Sequence, residues 1–371
     1  MNKYNIPFFN YPFLFKSKED DFINIFKDIG NRGAYILQKD LEDFEKNLAE
    51  YCNSKYAIGV ANGTDAIWLA LLAAGIGNGD EVIFASHTYI ATAGAIKFVG
   101  ATPIPADCRE DHMIDPKSVE KLITRKTKAI VPTQLNGRCC EMDTLLDIAK
   151  KHNLIIIEDA AKGLGAKFKG NGIGTFDKGG TISFYPAKNL GSFGDAGAFV
   201  TNDEEMYTKV KLLRDHGRDE TGKFVYWGFN SRLDNLQAAI LNFKLTYYTD
   251  EINRRREIAA IYNEELSNIK QLHLPPSPDA NNDYFDVYQN YEIQAENRDQ
   301  LKLFLSDNGI GTLIQWNGQA VHSIKELGFS GKGLPYTEEM FKKCLMIPMN
   351  TSLTNDQVKY VFNKIKEFYA E

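Results

Sequence analysis

The sequence has few cysteines, and it lacks the spacing of cysteine and histidine that is typical of a metal site. Its five cysteines among 371 residues are odd in number, and only Cys139 and Cys140 lie close together. Adjacent cysteines rarely form a disulfide with each other, and no C-x-x-C motif occurs. We therefore expect reduced thiols, no metal centre and a cytoplasmic location.

Long apolar runs and basic clusters are also missing. No apolar stretch approaches the roughly 18 residues that a membrane-spanning helix needs, and residues 1–7 contain no apolar core of signal-peptide length. The 43 Lys and Arg residues are outnumbered by 49 Asp and Glu residues, which gives a formal net charge of −6. These features argue against a membrane or a nucleic acid as the main partner.

What is present is the composition of a globular protein, 43% hydrophobic and 25% charged, with enough residues for two domains. Segments of strand length alternate with segments of helical length. The main predicted strands are 56–60, 81–84, 102–106, 129–132, 153–159, 290–293 and 311–316. This alternation predicts an α/β fold with a mainly parallel sheet covered on both faces. We expect a large domain over residues 1–250 and a smaller one over 251–371.

Residues 183–191 place a lysine between a strand end and a glycine-rich loop. Lys188 follows an apolar segment, and Gly191, Gly194 and Gly197 come shortly after it. Partial burial disfavours the charged ammonium, so a neutral and nucleophilic amine becomes accessible near neutral pH, as a Schiff-base lysine requires. Taken alone, such a lysine is more often simply solvated.

A second stretch places a carboxylate where ligands bind in α/β proteins. The apolar run 153–157 ends in Glu158 and Asp159, and Lys188 follows 29 residues after Asp159. The run is typical of a buried parallel strand, whose carboxyl end faces the ligand site. A carboxylate there can keep the pyridine nitrogen of pyridoxal phosphate protonated, so that the ring acts as an electron sink. The alternative role for Asp159 is a strand-end cap or an ion pair.

Five ordered motifs make the sequence similar to one family over nearly the whole chain. They lie at residues 61–66, 87–92, 158–161, 183–191 and 228–234. Together they resemble the DegT/DnrJ/EryC1/StrS family of pyridoxal-phosphate-dependent sugar aminotransferases, which have fold type I. The resemblance implies a large domain with a mainly parallel seven-stranded sheet between helices, followed by a smaller C-terminal α/β domain.

The resemblance also implies roles for individual residues. Lys188 would hold pyridoxal 5′-phosphate covalently as a Schiff base and act as general acid and base, and Asp159 would face the pyridine nitrogen. The other implied cofactor contacts are Gly63, Thr64 and Ser183 at the phosphate, Tyr89 on the ring, Lys162 near the phenolic oxygen, and Asn230 of a neighbouring subunit at the phosphate.

Some of these residues have plausible structural roles instead. Thr64 could be only the N-cap of a helix, and Tyr89 could be an ordinary core aromatic. Two positions depart from the family pattern: Lys162 stands where glutamine is usual, and Gln134 where histidine is common. A cation can still pair with a phenolate, whereas the alternative places Lys162 in solvent. No role is predicted for Gln134.

The implied reaction moves an amino group from glutamate to a keto sugar carried on a nucleotide. The enzyme would be a homodimer, and the product an amino sugar for a surface polysaccharide or glycoside. Lys188 favours transamination, because relatives that remove a hydroxyl group carry histidine there. The motifs at 62–66, 87–89 and 230–234 look closer to members acting on dTDP-3-keto-6-deoxyhexoses.

Other substrates and functions stay open at this point. The alternatives are a 4-keto sugar on dTDP, UDP or GDP, a keto-cyclitol, a dehydratase reaction and a non-catalytic regulator with the same fold. A nicotinamide enzyme is disfavoured, because the glycine cluster at residues 170–174 lacks the G-x-G-x-x-G spacing.

Overall fold

The structure is a computed structural model that describes residues 5–329 and 333–370; residues 1–4 of the N-terminal segment discussed above lie outside it. The strands are β1 (Tyr56–Val60), β2 (Glu81–Ala85), β3 (Thr102–Ala106), β4 (Thr127–Val131), β5 (Ile155–Ile156), β6 (Glu158–Asp159), β7 (Lys167–Phe168), β8 (Asn171–Gly172), β9 (Gly180–Ser183), β10 (Gly197–Thr201), β11 (Leu272–His273), β12 (Tyr284–Phe285), β13 (Tyr291–Ala295) and β14 (Cys344–Ile347).

The helices surround these strands. They are α1 (Tyr11–Lys16), α2 (Glu19–Arg32), α3 (Lys39–Cys52), α4 (Gly63–Ala73), α5 (Ile90–Phe98), α6 (Pro116–Leu122), α7 (Met142–His152), α8 (Glu204–Leu213), α9 (Asn235–Leu245), α10 (Tyr248–Leu266), α11 (Arg298–Asp307), α12 (Pro335–Lys343) and α13 (Asn355–Ala370). Within the described ranges, no helix is both long enough and apolar enough to cross a membrane.

A sheet with seven strand positions lies at the centre of the described residues. Strands β5 and β6 are separated only by Ile157 and together occupy one position, which gives the order β3-β2-β4-β5/β6-β9-β10-β1. Neighbouring strands are parallel except at β10, which runs antiparallel to both β9 and β1. The predicted α/β fold with a mainly parallel seven-stranded sheet is confirmed.

Both faces of this sheet are buried, which explains why its strands are almost uninterrupted apolar runs. Side chains alternate between the faces of a strand. Val82 and Phe84 of β2 pack in one cluster with residues of α4, α5 and α8. Ile83 and Ala85 point the other way, into a cluster with residues of α3 and α7. The helices thus fix the sheet from both sides.

Four strands end at the same edge of the sheet. Because β1 and β9 both run antiparallel to β10, they are parallel to each other and to β6. The chain continues from β1 into Gly63 and from β2 toward Tyr89, while β6 ends at Asp159 and β9 at Ser183. The carboxyl edge of a parallel sheet is where α/β proteins bind ligands, so the topology gathers these four residues at one place.

The C-terminal part has its own antiparallel sheet, with the order β11-β13-β14. It packs in a separate apolar cluster with residues of α10, α11 and α13. Helix α10 spans both parts: Tyr248 and Ile252 belong to the cluster of the central sheet, and Ile258 and Tyr262 to the C-terminal cluster. The boundary expected at residue 250 falls inside this helix and stays a prediction.

The strand predicted over residues 311–316 is wrong. Leu313 makes a single bridge with Met346, after which the chain turns through a short 3-10 helix at Gln315–Gly318. Trp316 and Asn317 have φ angles of 47° and 57°. Positive φ lies outside the β region, so these residues cannot continue a strand.

Candidate active site

A cleft of about 700 Å³ opens at the carboxyl edge of the central sheet. It is lined by seven of the predicted site residues, namely Gly63, Thr64, Tyr89, Asp159, Lys162, Ser183 and Lys188. The eighth, Asn230, does not line the cleft of its own chain. The parallel strands therefore bring together residues that are widely separated in the sequence.

Lys188 lies in the turn that follows β9. Its backbone N–H donates to the carbonyl of Tyr185 at 2.8 Å. The loop is held from the C-terminal part by Gln289, which accepts from the N–H of Asn189 at 2.7 Å and donates to the carbonyl of Ala187 at 2.8 Å. Burial lowers the pKa of Lys188 to about 8, although the carboxylate of Asp159 opposes this shift. A neutral amine is thus accessible near neutral pH, as the sequence predicted.

The carboxylate of Asp159 is buried at the end of β6 and held in one orientation. Its Oδ2 accepts hydrogen bonds from the hydroxyl of Thr92 at 2.6 Å and, more weakly, from that of Thr88 at 3.4 Å. Its Oδ1 accepts from the N–H of Ala161 at 3.2 Å. Thr92 also lines the cleft. Sequence reasoning missed its role, although it lies within the motif at residues 87–92.

The start of α4 forms the other end of the cleft. The cap of this helix is Asn62, whose side chain accepts from the N–H of Asp65 at 2.8 Å. Thr64 lies inside the helix, so its alternative role as N-cap is wrong. A Cβ on Gly63 would lie 2.7 Å from the Cβ of Ser183, so glycine is needed for this close approach. Helix N–H groups and two hydroxyls therefore converge on one place, which suits a phosphate.

Lys162 is partly buried in the wall of the cleft and does not point into solvent. Its Nζ donates to the Oε1 of Gln315 at 2.7 Å and lies 5.1 Å from the ring centre of Trp316. Burial and, next, the charge of Lys188 lower the pKa of Lys162 to about 7, although the carboxylates of Glu292 and Asp159 oppose this shift. The solvent alternative for Lys162 is wrong.

The two remaining predicted contacts are both exposed. Tyr89 precedes α5 and is 57% exposed, so it is not a core aromatic, and its ring lines the cleft. Asn230 is also exposed, in a segment that pairs with Asp215 by a single bridge. In one chain, Tyr89 thus lines the cleft, whereas Asn230 is not among the residues that line it.

Gln134, for which the sequence predicted no role, forms hydrogen bonds that hold the end of β6, where Asp159 lies. Its Nε2 donates to the buried carboxylate of Glu158 at 2.8 Å, and its Oε1 accepts from the N–H of Cys140 at 2.6 Å. Its own N–H donates to the carbonyl of Asp159 at 2.9 Å. Gln134 therefore helps to fix the end of β6.

All five cysteines are free and buried.

These residues fit pyridoxal phosphate. The cradle between Gly63 and Ser183 offers neutral donors for a phosphate, and a Cβ at Gly63 would fill it. Asp159 offers a carboxylate for a pyridine nitrogen, and Lys188 an amine with a lowered pKa for an aldehyde. The cleft thus offers a matching partner for the phosphate, the pyridine nitrogen and the aldehyde of this group.

Comparison with known proteins gives matches over almost the full length. The sequence model of the DegT/DnrJ/EryC1/StrS aminotransferase family matches residues 16–366. A Streptomyces venezuelae protein named dTDP-3-amino-3,4,6-trideoxy-alpha-D-glucose transaminase is 39% identical over 340 residues, which cover 91% of this chain and 89% of the relative. A Geobacillus stearothermophilus protein named pleiotropic regulatory protein is 37% identical over 370 residues, or 98% of this chain and 99% of the relative.

The fold is also similar to solved structures. The crystal structure of S. venezuelae DesV in complex with a ketimine intermediate matches with a TM-score of 0.95 and 36% sequence identity, covering 99% of each chain. The similarity therefore extends over the central sheet, the cleft and the C-terminal part.

Proposed function

Because the chain belongs to the DegT/DnrJ/EryC1/StrS aminotransferase family, we propose that it transfers an amino group from glutamate to a nucleotide-linked keto sugar, with pyridoxal phosphate as cofactor. The observation that carries this proposal is the pairing of Lys188 and Asp159 in one cleft, beside a helix start suited to a phosphate. Membership of the family also confirms the resemblance predicted from the five motifs.

Each residue of the cleft has a distinct task in this proposal. The N–H groups at the start of α4 and the hydroxyl of Ser183 bind the phosphate, and Tyr89 stacks on the ring. Lys188 would hold the aldehyde of the cofactor through Nζ, and its amine, set free when the donor's amine takes its place on the aldehyde carbon, would move the proton at the substrate carbon. Asp159 holds a proton on the pyridine nitrogen. When bound, the cofactor supplies an electron sink for the electrons released at that carbon.

The acceptor that we favour is a dTDP-3-keto-6-deoxyhexose. The S. venezuelae relative supports this assignment, since it is named for a 3-amino sugar on dTDP. Acceptors with a 4-keto group on dTDP, UDP or GDP, and keto-cyclitols, are the alternative within the same reaction class. The Geobacillus relative is named a regulatory protein, but a regulator that does not catalyse would have no need of the amine of Lys188 and the carboxylate of Asp159.

The proposal is tested by incubating the protein with glutamate and a panel of keto sugars on dTDP, UDP and GDP. We expect a yellow protein whose visible colour is bleached by glutamate and restored by the right keto sugar, with an amino sugar and 2-oxoglutarate as products. Reaction with the dTDP-3-keto sugars should be the fastest. A colourless protein that binds no cofactor and converts no sugar would instead indicate the regulatory function.

We also propose that the active protein is a homodimer, in which Asn230 reaches the cofactor phosphate of the partner subunit. Two features of the chain support this. Asn230 is exposed and lies outside its own cleft. The segment before it carries exposed aromatic side chains, with Phe224 73%, Tyr226 58% and Trp227 94% exposed. Apolar side chains this exposed are typical of a surface that a second molecule covers.

Mixing two inactive variants tests whether the sites are shared. Lys188→Ala and Asn230→Ala should each abolish or strongly reduce turnover on their own. In a mixed dimer, one site receives both defects and the other receives neither, so about half of the sites should be active. Activity should therefore return after subunit exchange, measured as amino sugar formed per mixed dimer.

The matched control mixes Lys188→Ala chains with Asp159→Asn chains. These two residues belong to the cleft of the same chain, so every site of such a mixed dimer keeps one defect, and activity should not rise above that of the two variants measured separately. If the first mixture also stays inactive although mixed dimers form, Asn230 does not serve the partner's site.

A further inference from the structure

Buried polar side chains connect Lys162 to a carboxylate deep in the fold. Lys162 Nζ donates to Gln315 Oε1 at 2.7 Å, and Gln315 Nε2 donates to Glu292 Oε1 at 2.8 Å. Gln315 and Glu292 are only 1% and 2% exposed. The link from the cleft to the carboxylate is therefore shielded from solvent.

The amide of Gln315 can be oriented in only one way within this link. Its Nε2 also donates to the Oδ1 of Asn136 at 2.8 Å, so both N–H bonds are used. An ionised carboxylate only accepts hydrogen bonds, so Glu292 must face the nitrogen of the amide. The carbonyl oxygen is then the end that faces Lys162. The charge of Glu292 thus orients the amide of Gln315 so that its oxygen, and not its nitrogen, faces the amine of Lys162.

Several neighbours keep Glu292 ionised. Its Oε2 accepts from His112 Nδ1 and from Asn136 Nδ2, both at 2.9 Å. Burial alone would raise the pKa of Glu292, but the nearby His87, His112 and Lys162 together hold it below its usual range. Glu292 is therefore a buried negative charge that is satisfied on both oxygens.

We propose that Glu292 is a positioning residue that acts through Gln315 to hold the amine of Lys162, in its protonated form, in the wall of the cleft beside Lys188. This inference deepens the proposed function and rests on it, because Lys162 lines the cleft where that function places the cofactor. A buried ammonium needs a counter-charge, and hydrogen-bonded amides can transmit one. Glu292 supplies the charge and Gln315 the connection.

The protonation of Lys162 depends on the groups that face it from each side. Lys188 repels a proton on Lys162, while Asp159 and Glu292 attract one. His87 lies near Glu292, but burial lowers the pKa of this ring to about 3, so His87 is charged only in acid. In the neutral range, the hydrogen bonds from His112 and Asn136 and the charge of Lys162 keep Glu292 ionised. With a pKa of about 7, Lys162 changes charge in the neutral range, and losing Glu292 would move that change to lower pH.

A metal ion is the competing explanation for this cluster. Ligand atoms of His87, His112 and Glu292 lie within 4.8 Å of one another. However, Gln294 Nε2 donates to His112 Nε2 at 3.0 Å, so the ring carries its proton on Nδ1 and donates it to Glu292. That nitrogen then has no lone pair for a metal ion.

The test measures the pKa of Lys162 directly, without turnover. The full chain, with and without bound cofactor, is treated with an amine-acylating reagent over a range of pH, and labelling of Lys162 is followed by mass spectrometry. Glu292→Gln removes the charge, and Gln315→Asn keeps an amide that is too short to reach both partners. In both variants, we expect the midpoint of labelling to move to lower pH than in the parent chain.

The double variant distinguishes the route. If Glu292 acts through Gln315, adding Glu292→Gln to Gln315→Asn should change the midpoint little. An equal shift in both backgrounds would show direct action of the charge and overturn the route through Gln315. No shift in either single variant would overturn the whole proposal. Circular dichroism checks that each variant folds. If one of the two single variants does not fold, the shift of the midpoint in the other is enough to test the proposal.

Two controls complete the experiment. Glu158→Gln removes another buried carboxylate, which contacts Gln134 and not Lys162, and it should leave the midpoint unchanged. Zinc that stays bound after dialysis against a chelator, and is lost in His87→Gln, would assign the cluster to a metal ion and overturn the proposal. Because labelling needs neither turnover nor cofactor, its result is independent of whether the sugar panel is converted.

Discussion

Lys188→Ala should lose turnover by at least ~10²–10⁴-fold, the range that general acid–base catalysis contributes, and by more because covalent attachment of the cofactor is lost as well. The side chain lines the cleft, and its loop is fixed by backbone hydrogen bonds to Gln289. The fold and the phosphate contacts should therefore survive. We expect the variant to bind the cofactor or its amine form without the covalent bond.

The measurement is the rate of amino sugar formation, together with mass spectrometry after borohydride reduction, which fixes the cofactor only where it is covalently attached. Lys188→Arg is the matched control, since it keeps a positive charge but offers no nucleophilic amine, and it should be equally inactive. Near-normal activity in a clean Lys188→Ala preparation would show that another group carries out the proton transfer.

Asp159→Asn should lower kcat on the order of 10²–10³-fold, the range typical of one preorganised electrostatic contact. Asparagine is nearly isosteric: its single side-chain oxygen can accept from the N–H of Ala161, and its amide nitrogen can donate to the hydroxyl of Thr92, so we expect the variant to fold and bind cofactor. It cannot hold a proton on the pyridine nitrogen. The measurement combines kcat with the free energy of unfolding in urea.

Asp115→Asn is the comparison for a purely structural carboxylate. Asp115 caps α6 by accepting from the N–H groups of Lys117 and Ser118. Asparagine caps helices about as well, so this variant should keep both activity and stability. If Asp159→Asn changed only the free energy of unfolding and left kcat intact, Asp159 would be a strand-end cap, and its assignment to the pyridine nitrogen would be wrong.

The elements that could be predicted are those whose pattern is local. Strands β1 and β3 have the bounds that were predicted for them. The strand predicted over 311–316 failed for a tertiary reason. The side chain of Gln315 is drawn into the buried contacts with Glu292 and Asn136, and the chain turns at Trp316. No periodicity in the sequence reports such a contact.

The same limit applies to the site. Lys188 and Asp159 were predictable because each follows a strand-like run, and strand ends meet at one edge of the sheet. The hydrogen-bond partner of Lys162 could not be predicted, because Gln315 lies 153 residues away in the sequence and belongs to none of the five motifs. Lys162 itself was visible only as a departure from the family pattern. Its environment depends on a buried network that only the folded chain reveals.

The glutamine that holds the lysine loop also bears on the order in which the protein becomes competent during synthesis. Gln289 bonds to Asn189 and Ala187 on either side of Lys188, across sequence separations of 100 and 102 residues. Domains fold from the N-terminus as the chain leaves the ribosome, so the central sheet can form while this glutamine is still untranslated. Until then the lysine loop lacks both of these hydrogen bonds. Under the proposed function, we therefore expect covalent attachment of the cofactor to be a late event, which follows synthesis of the C-terminal part.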